Sequence, residues 1–561
     1  MRPFLPKLFV ILCVWGAIFL IILRHSSREM RYIRQKMGLQ ERSVIHKTKI
    51  DYEDLGDPFS TSIPQTVIVI EKKKENGKLP VSCACKAIPL PRLEVYQEQF
   101  SVKISWTNQT SLEVLAKQHP NFPHSLLVNT SKMFCELMPP PHNIDWDESY
   151  YQSVTVSDTT TYLLYSAVLD NRPLTDIRPC IRILAFTRAK KPTTPWCYIW
   201  FNTTGPPAIS QVIRQEFVDW QRQSEKHHMF FLLTCRIPDG EAHLTPLAVS
   251  VVRAPCEKAQ TLLQVNGAMQ RASSAKFVGA DAKKAVNGTP LWNVAVCGPA
   301  LFYYHDDISI RLVEWLELLR AQGFAKVFLL QTTVHPNIEK VLQYYEADGF
   351  VGITKFLYPV PYANEPNLRR LWVLTERVKL FAMENLYFTD CLLRHMHEYR
   401  FIAHIDPDEM PMLPHHDSFP AWLHDHIRRA NSTNLHSSYN LAWYYHHSDL
   451  EPAKSLPKYL WFLRHTRRTT LNVFPSLSKP TYDMDVVTGV YSHGTVTCAY
   501  GKCREKPYAC PRKEAYLGHY RRDCGEACKT PGSVLNVPSL LKYRDQVSSN
   551  VHKVLTKLEL I

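Results

Sequence analysis

The hydrophobic pattern opens with one solid block. Leu8 to Leu23 is uninterrupted apolar sequence, and Phe4 and Leu5 extend it past Lys7. That makes roughly 20 residues if the Lys7 ammonium reaches back to the interface, enough to span a bilayer. The pattern predicts a transmembrane signal anchor over 8–23, after a short cytoplasmic tail at 1–7. Arg24-His25-Ser26-Ser27-Arg28 follows and offers no Ala-x-Ala-like cleavage site, so the anchor is expected to remain uncleaved. Residues 24–80 show neither helical nor strand periodicity and carry charge runs such as Glu71-Lys72-Lys73-Lys74-Glu75. They read as a stem.

From 81 to 290 the pattern favours short strands. Val102-Lys103-Ile104-Ser105-Trp106 alternates apolar and polar positions. Tyr162–Leu169, Ile181–Phe186, Phe230–Leu233 and Leu247–Val252 are apolar runs bounded by turn residues. A β-rich accessory domain is expected here. Near 292 the rhythm changes. Trp292–Cys297 reads as a strand, and Asp306 or Asp307 can cap a helix with apolar face Ile308, Leu312, Trp315, Leu316 and Leu319, stopping at Gly323. Lys326–Leu330 is a second strand. A helix carrying Ile338, Val341, Leu342 and Tyr345 ends near Gly349, and Phe350–Ile353 is the next strand. A long helix over about 371–388 precedes the strand Phe401–Ile405. Alternation at this pitch predicts a parallel α/β sheet, with a second domain over 291–535 and a tail over 536–561.

Composition changes this picture little. Hydrophobic residues at 45% and charged residues at 21% are ordinary for globular chains. The net charge of +14 would suit nucleic acid, an anionic membrane or a phosphate-bearing substrate. No dense Lys/Arg block with interleaved aromatics is present, which argues against nucleic acid. The cysteines matter more. Of 15, Cys13 lies in the apolar block and the other 14 are even in number. Cys498, Cys503, Cys510, Cys524 and Cys528 crowd one stretch without the paired Cys-x2-Cys spacing of a structural zinc site, so disulfides are expected. Five Asn-x-Ser/Thr sequons begin at Asn108, Asn129, Asn202, Asn287 and Asn431. Both features point to an oxidising lumen. Arg24, Arg28, Arg31, Arg34 and Lys36 after the span favour the opposite topology. The cysteines and sequons are given precedence, and the expected placement is single-pass type II in the Golgi membrane with the bulk of the chain lumenal.

The candidate chemistry is Asp406-Pro407-Asp408-Glu409. It stands at the carboxyl end of the strand 401–405, where open α/β sheets bind ligands. Pro407 fixes one backbone angle and holds the acids in a turn. Carboxylates this close raise each other's pKa, and a divalent cation relieves the conflict. Mg²⁺ or Mn²⁺ commonly takes one or two carboxylates plus a substrate phosphate. No Walker-type or dinucleotide-binding glycine motif is present.

Several ordered motifs carry a family resemblance. They are Tyr165-Ser166-Ala167-Val168-Leu169-Asp170-Asn171-Arg172, Glu314-Trp315-Leu316-Glu317-Leu318, Asp390-Cys391-Leu392-Leu393-Arg394, Tyr399 to Glu409, and Gly518-His519-Tyr520-Arg521. Together they resemble glycosyltransferase family 92. The resemblance implies a GT-A-type, Rossmann-like α/β catalytic domain beside the β-rich accessory domain and the transmembrane helix. It implies a hexosyltransferase of the β-1,4-galactosyltransferase kind, with UDP-galactose as donor, Mn²⁺ or Mg²⁺ as cofactor, and a glycan or glycoprotein as acceptor. Donor galactose is α-linked, so a β product means inversion, which needs a carboxylate base. By the same resemblance Asp408 binds the metal, Asp406 the ribose or the metal, and Glu409 orients its neighbours. A histidine commonly completes such a metal shell, and His519 is chosen before His493. Lys479 and Arg521 are candidates for the diphosphate. Asp449, Glu451, Asp483 and Asp485 are candidate bases, left unranked. Tyr439 to His447 reads as an acceptor wall or as core. The rival is a catalytically silent, lectin-like membrane protein of the same fold. The intact acidic cluster argues against it.

Overall fold

The computed structural model describes residues 112–124, 137–203, 205–221, 223–267, 291–429, 436–470, 477–504, 506–521, 523–524, 528 and 531–561. The expected cytoplasmic tail at 1–7, the anchor and the stem, the strand at Val102–Trp106, and four of the five sequons lie outside these residues. Asn202 is described and exposed. Among the described residues no helix is long and apolar enough to cross a membrane.

A short helix α1 (Leu112–Gln118) precedes a nine-stranded sheet. Its strands are β1 (Trp146–Asp147), β2 (Tyr151–Ser157), β3 (Thr160–Asp170), β4 (Cys180–Thr187), β5 (Trp196–Phe201), β6 (Ala208–Phe217), β7 (Met229–Arg236), β8 (Pro246–Val252) and β9 (Leu263–Asn266). They are ordered β1-β2-β3-β4-β7-β6-β5-β8-β9, and β3 also pairs with β9 through Ala167↔Val265. That extra ladder closes the strands from β3 to β9 into a barrel. Tyr162, Leu164, Ala167 and Leu169 of β3 join one buried cluster with Ile183, Ile199, Leu233 and Val249. Leu163, Tyr165 and Val168 join another. Burial on both faces explains why these strands read as continuous apolar runs rather than alternating ones.

The second sheet has eleven strands. β10 (Val294–Leu301), β11 (Lys326–Gln331), β12 (Val351–Lys355) and β13 (Phe401–His404) are parallel, in the order β12-β11-β10-β13. Helices α2 (Ser309–Ala321) and α3 (Pro336–Ala347) connect them. Then β14 (Glu409–Met412), β15 (Ser438–His447), β16 (Arg467–Thr469), β17 (Ser478–Asp483), β21 (Tyr508–Ala509), β22 (Tyr516–Arg521) and β23 (Val534–Asn536) complete the sheet. β18 (Val487–Tyr491), β19 (Gly494–Cys498) and β20 (Gly501–Lys502) form a separate three-stranded sheet. Helix α6 (Phe419–Arg429) follows β14, and α7 (Arg544–Lys557) packs on α2.

The Rossmann-like α/β expectation is therefore corrected: the chain is mostly β, a closed barrel beside a half-closed mixed sheet. Strand–helix alternation runs only from β10 to β13. After β13 the ladders to β17, β15 and β16 are antiparallel, and those of β15 with β21 and β22 are parallel. The rhythm holds from Val294 to His404, and the rest of the sheet departs from it. The long helix expected over 371–388 is also two helices, α4 (Pro366–Thr375) and α5 (Arg377–His395). Glu376 leaves helical geometry at φ −125°, ψ 37°. The break lets Trp372 pack on Tyr358 and Tyr362 while Met383, Leu386 and Leu393 of α5 enter the core.

Helix α5 is the joint between the sheets. Its buried residues share one cluster with Tyr165, Leu184 and Phe230 of the barrel and with Ala295, Cys297 and Phe328 of the second sheet. Each such side chain fully buried stabilises by about 1.5–3 kcal/mol. A Cys297–Cys391 disulfide ties β10 to α5. Asp170, wholly buried, accepts from Arg172 Nη2 at 2.8 Å and Arg182 Nε at 3.1 Å, and Arg172 donates onward to the carbonyls of Met484 and Val487. The motif around Tyr165–Arg172 thus ties the barrel to the segment that leads from β17 into β18.

Candidate active site

The acidic turn sits where β13 leaves the sheet. His404 ends the buried strand, Ile405 follows it still buried, Asp406-Pro407-Asp408 turn, and Glu409 opens β14, which pairs with β22 instead. The turn closes on itself. Glu409 N–H donates to the Asp406 carbonyl at 2.9 Å, and Asp406 N–H donates to Glu409 Oε2 at 2.9 Å. This satisfies two backbone donors that the departing strand leaves open. The Glu314–Leu318 motif supports it from behind. Trp315 Nε1 donates to the Glu409 carbonyl at 3.1 Å. Glu314 accepts the backbone N–H groups of Trp461, Phe462 and Leu463.

Two side chains reach the turn from other strands. Lys479 of β17 donates to Asp406 Oδ2 at 2.7 Å and lies 3.6 Å from Glu409 Oε2. His519 of β22 places Nε2 3.1 Å from Asp408 Oδ2 and Nδ1 3.8 Å from Glu409 Oε1. The β14–β22 register pairs Glu409 directly with His519. Glu409 Oε1 and His519 Nδ1 are both buried without a hydrogen-bond partner. Asp408 is the open member, its side chain 43% exposed against 0% for Glu409.

The three carboxylates do not titrate alike. Burial, with Asp406 and Asp408 nearby, pushes Glu409 well above the usual range, despite the opposing Lys479 charge. Burial would also raise Asp406, but the Lys479 ammonium outweighs it and holds the group low. Asp408 is held low against its own burial by the His519 hydrogen bond. Of the three acids only Glu409 is raised, because its burial outweighs the Lys479 ammonium 3.6 Å away.

Aromatic rings line the β15 side. Trp443 packs edge-on to His519 at 4.6 Å and to His493 at 4.9 Å. Tyr445 lies 5.3 Å from His519, and Arg521 sits over the Tyr445 ring at 4.9 Å. Tyr303, just beyond β10, is raised by burial and then by Asp408 and Asp406. His493 Nδ1–H donates to the Ser478 carbonyl at 3.0 Å. Burial and then Lys479 lower its pKa to about 4.

Of the residues singled out from sequence, the structure brings together Asp406, Asp408, Glu409, Lys479 and His519. Arg521 lies at the rim, on Tyr445. Asp449 is exposed beyond the end of β15 and accepts the Cys524 N–H at 2.8 Å. Exposed Glu451 pairs with Lys454 and Arg467. Asp483 and Asp485 both pair with Arg400, and Asp483 stands opposite Phe401 at the start of β13. Five residues of strand separate that position from Asp406, about 16 Å. Sequence reasoning missed Trp315 as a support of the turn. Trp315 lay inside a quoted motif but was read only as a core residue of the helix.

The donor chemistry suits a hard divalent cation. Asp408 oxygen and His519 nitrogen converge, Asp408 is accessible, and a nucleotide diphosphate would supply further oxygens. Asp406 has one oxygen engaged by Lys479, leaving Oδ1 for a substrate hydroxyl or the cation. A cleft of about 810 Å³ lies elsewhere, lined by Asp147, Arg188, Lys190, Lys191 and His228 among others, and shares no residue with this cluster.

Residues 293–557 match the family model described as Glycosyltransferase family 92. No curated protein matches the chain. The motif at 165–172 lies upstream of the matched stretch, whereas the Glu314, Asp390, Asp406 and His519 motifs lie within it. Over residues 293–557, which hold every member of the carboxylate, lysine and histidine cluster, the chain belongs to glycosyltransferase family 92.

Proposed function

We propose that this glycosyltransferase moves galactose from UDP-galactose to a glycan acceptor with inversion, giving a β-linked product, and that it uses Mn²⁺ or Mg²⁺. The observation that carries the reading is the meeting of Asp408, His519 and Lys479 on one turn inside the family 92 stretch. Asp408 and His519 would hold the cation, with Asp406 Oδ1 free to take the ribose or to join them. When bound, the cation would supply positive charge to the departing diphosphate. Galactose as the donor sugar is supported by the family resemblance.

The protein's own residues have separate tasks in this reading. Lys479 keeps Asp406 ionised and oriented. Glu409 fixes the turn through the Asp406 N–H and faces the inner nitrogen of His519. Trp443 and Tyr445 offer ring faces and edges to a sugar, and Arg521 adds positive charge at the rim. For the base we assign Asp449, the exposed carboxylate beyond the β15 end that carries Tyr445, held by the Cys524 N–H. Arg400 engages Asp483 and Asp485 far from the turn. Four disulfides among the described residues and the exposed sequon residue Asn202 support work in an oxidising lumen of the secretory pathway.

The direct test is incubation of the protein with Mn²⁺, a glycan acceptor and a panel of UDP-sugars. Turnover selective for UDP-galactose, lost in Asp408→Asn with folding intact, is expected. Equal turnover of other UDP-sugars would overturn the donor assignment, and full activity in chelator would overturn the cation.

A further inference from the structure

A second group of metal-type ligands lies at the far end of β15 and β22. His447 closes β15, opposite Arg521 in the parallel ladder. One ligand atom from each of His447, Cys524 and Cys528 lies within 4.8 Å of the others. His447 is 6% exposed, and its Nδ1 is buried without a hydrogen-bond partner. Cys524 and Cys528 are joined as a disulfide across four residues. Such a short closure constrains the unfolded chain little, compared with the 94-residue separation of Cys297–Cys391. The short bridge therefore adds little restraint, and the imidazole beside it keeps one buried nitrogen, Nδ1, without a partner. The Asp449 carboxylate accepts the Cys524 N–H, an outer contact of the kind that steadies a ligand loop.

We propose that His447, Cys524 and Cys528 form a thiol-gated site for a borderline-soft divalent cation such as Zn²⁺. In the oxidised state the two sulfurs bond to each other. Two equivalents of a small thiol reduce them: the Cys524–Cys528 bond breaks, the thiol pair becomes a disulfide, and two cysteine thiols form. One Zn²⁺ then displaces the two thiol protons and takes the imidazole nitrogen as third ligand, with water in the open position. Two sulfurs and one nitrogen suit zinc, whereas the oxygen-rich set at Asp408 suits Mn²⁺ or Mg²⁺, so the two sites differ in metal preference. Because His447 pairs with Arg521 and Cys524 holds Asp449, the cation would set the rim of the sugar site.

The experiment uses the full chain, treated with glutathione, exchanged into Co²⁺ or Zn²⁺, and compared with a Cys524→Ser/Cys528→Ser double variant that changes only loop sulfurs. The wild type is expected to hold one more equivalent of metal than the double variant. Its cobalt form should show a thiolate-to-metal charge-transfer band that the variant lacks. His447→Gln should weaken that extra equivalent by about 10-fold or more. Equal metal content and equal spectra in wild type and double variant would overturn the proposal. So would alkylation mapping that finds Cys524 and Cys528 reduced and accessible yet metal-free. Loss of Mn²⁺-dependent transfer in an Asp408 variant leaves the charge-transfer band in place, so the two sites fail separately.

Discussion

Glu409 and His519 face each other across the β14–β22 ladder, with Glu409 Oε1 and His519 Nδ1 3.8 Å apart and both atoms sealed from solvent. The outer nitrogen of the same ring meets Asp408. A carboxylate behind a metal-ligating imidazole fixes its tautomer, and losing it costs about 10- to 100-fold in metal affinity. Glu409→Gln is expected to weaken Mn²⁺ binding by that factor while the fold persists. Electron paramagnetic titration of Mn²⁺ checks this, and unchanged affinity would remove Glu409 from the role.

Lys479 is the buried countercharge of the turn. Lys479→Met leaves Asp406 and Glu409 together without it and should cost about 3–5 kcal/mol at neutral pH. Asp406 is held below its ordinary 3.8, so its share of stability is present above that pH and lost as acid protonates it. Lys479 is raised above its ordinary 10.5, so its share is present below that pH and lost only in strong alkali. Denaturant midpoints of wild type and variant should therefore differ across neutral pH and converge in strong acid.

Glu314 gives a pH signature in the accessible range. Burial raises its pKa to about 7, although three backbone N–H groups pull the other way. A carboxyl group with a raised folded pKa favours the folded state when protonated. Stability from this site should fall as pH rises from about 4.5 to about 7, then level off. Glu314→Gln should be destabilised by about 1–3 kcal/mol, since its amide can no longer accept from all three donors. The gap from wild type should narrow between pH 5 and pH 8. A constant gap in melting temperature across that range would contradict the assignment.

The Cys297–Cys391 bridge closes a separation of 94 residues between β10 and α5. Loop entropy assigns it about 4–5 kcal/mol, and measured losses for such bridges run about 2–5 kcal/mol. Cys297→Ala/Cys391→Ala should lower the denaturant midpoint accordingly. A loss under 1 kcal/mol would mean that packing along α5 already holds the two sheets together.

The sequence made some parts plain and concealed others for physical reasons. The strands of the barrel were visible because Ile181–Phe186 and Phe230–Leu233 are apolar on both faces. Barrel closure was not visible, because the β3–β9 ladder joins residues about a hundred positions apart and leaves no local mark. Asp406, Asp408, Glu409, Lys479 and His519 were each nameable by charge and motif. That they meet depends on β17 and β22 arriving beside β13 and β14, and this is set by the antiparallel half of the sheet that strand–helix alternation had hidden. Asp483 and Asp485 looked as eligible as Asp449 in one dimension. The ladder opposite Phe401 removes them from the turn and gives them to Arg400.

Strand β15 changes neighbours midway. Ser438 to Ala442 pair with β17, which carries Lys479, while Trp443 to His447 pair with β22, which carries His519 and Arg521. A single strand thus indexes Lys479 and His519 against one ruler. A one-residue slip of that strand would misplace Lys479 and His519 together by about 3.3 Å and send every ring of the aromatic row to the opposite face. Both halves of the site are therefore set by the alignment of one strand.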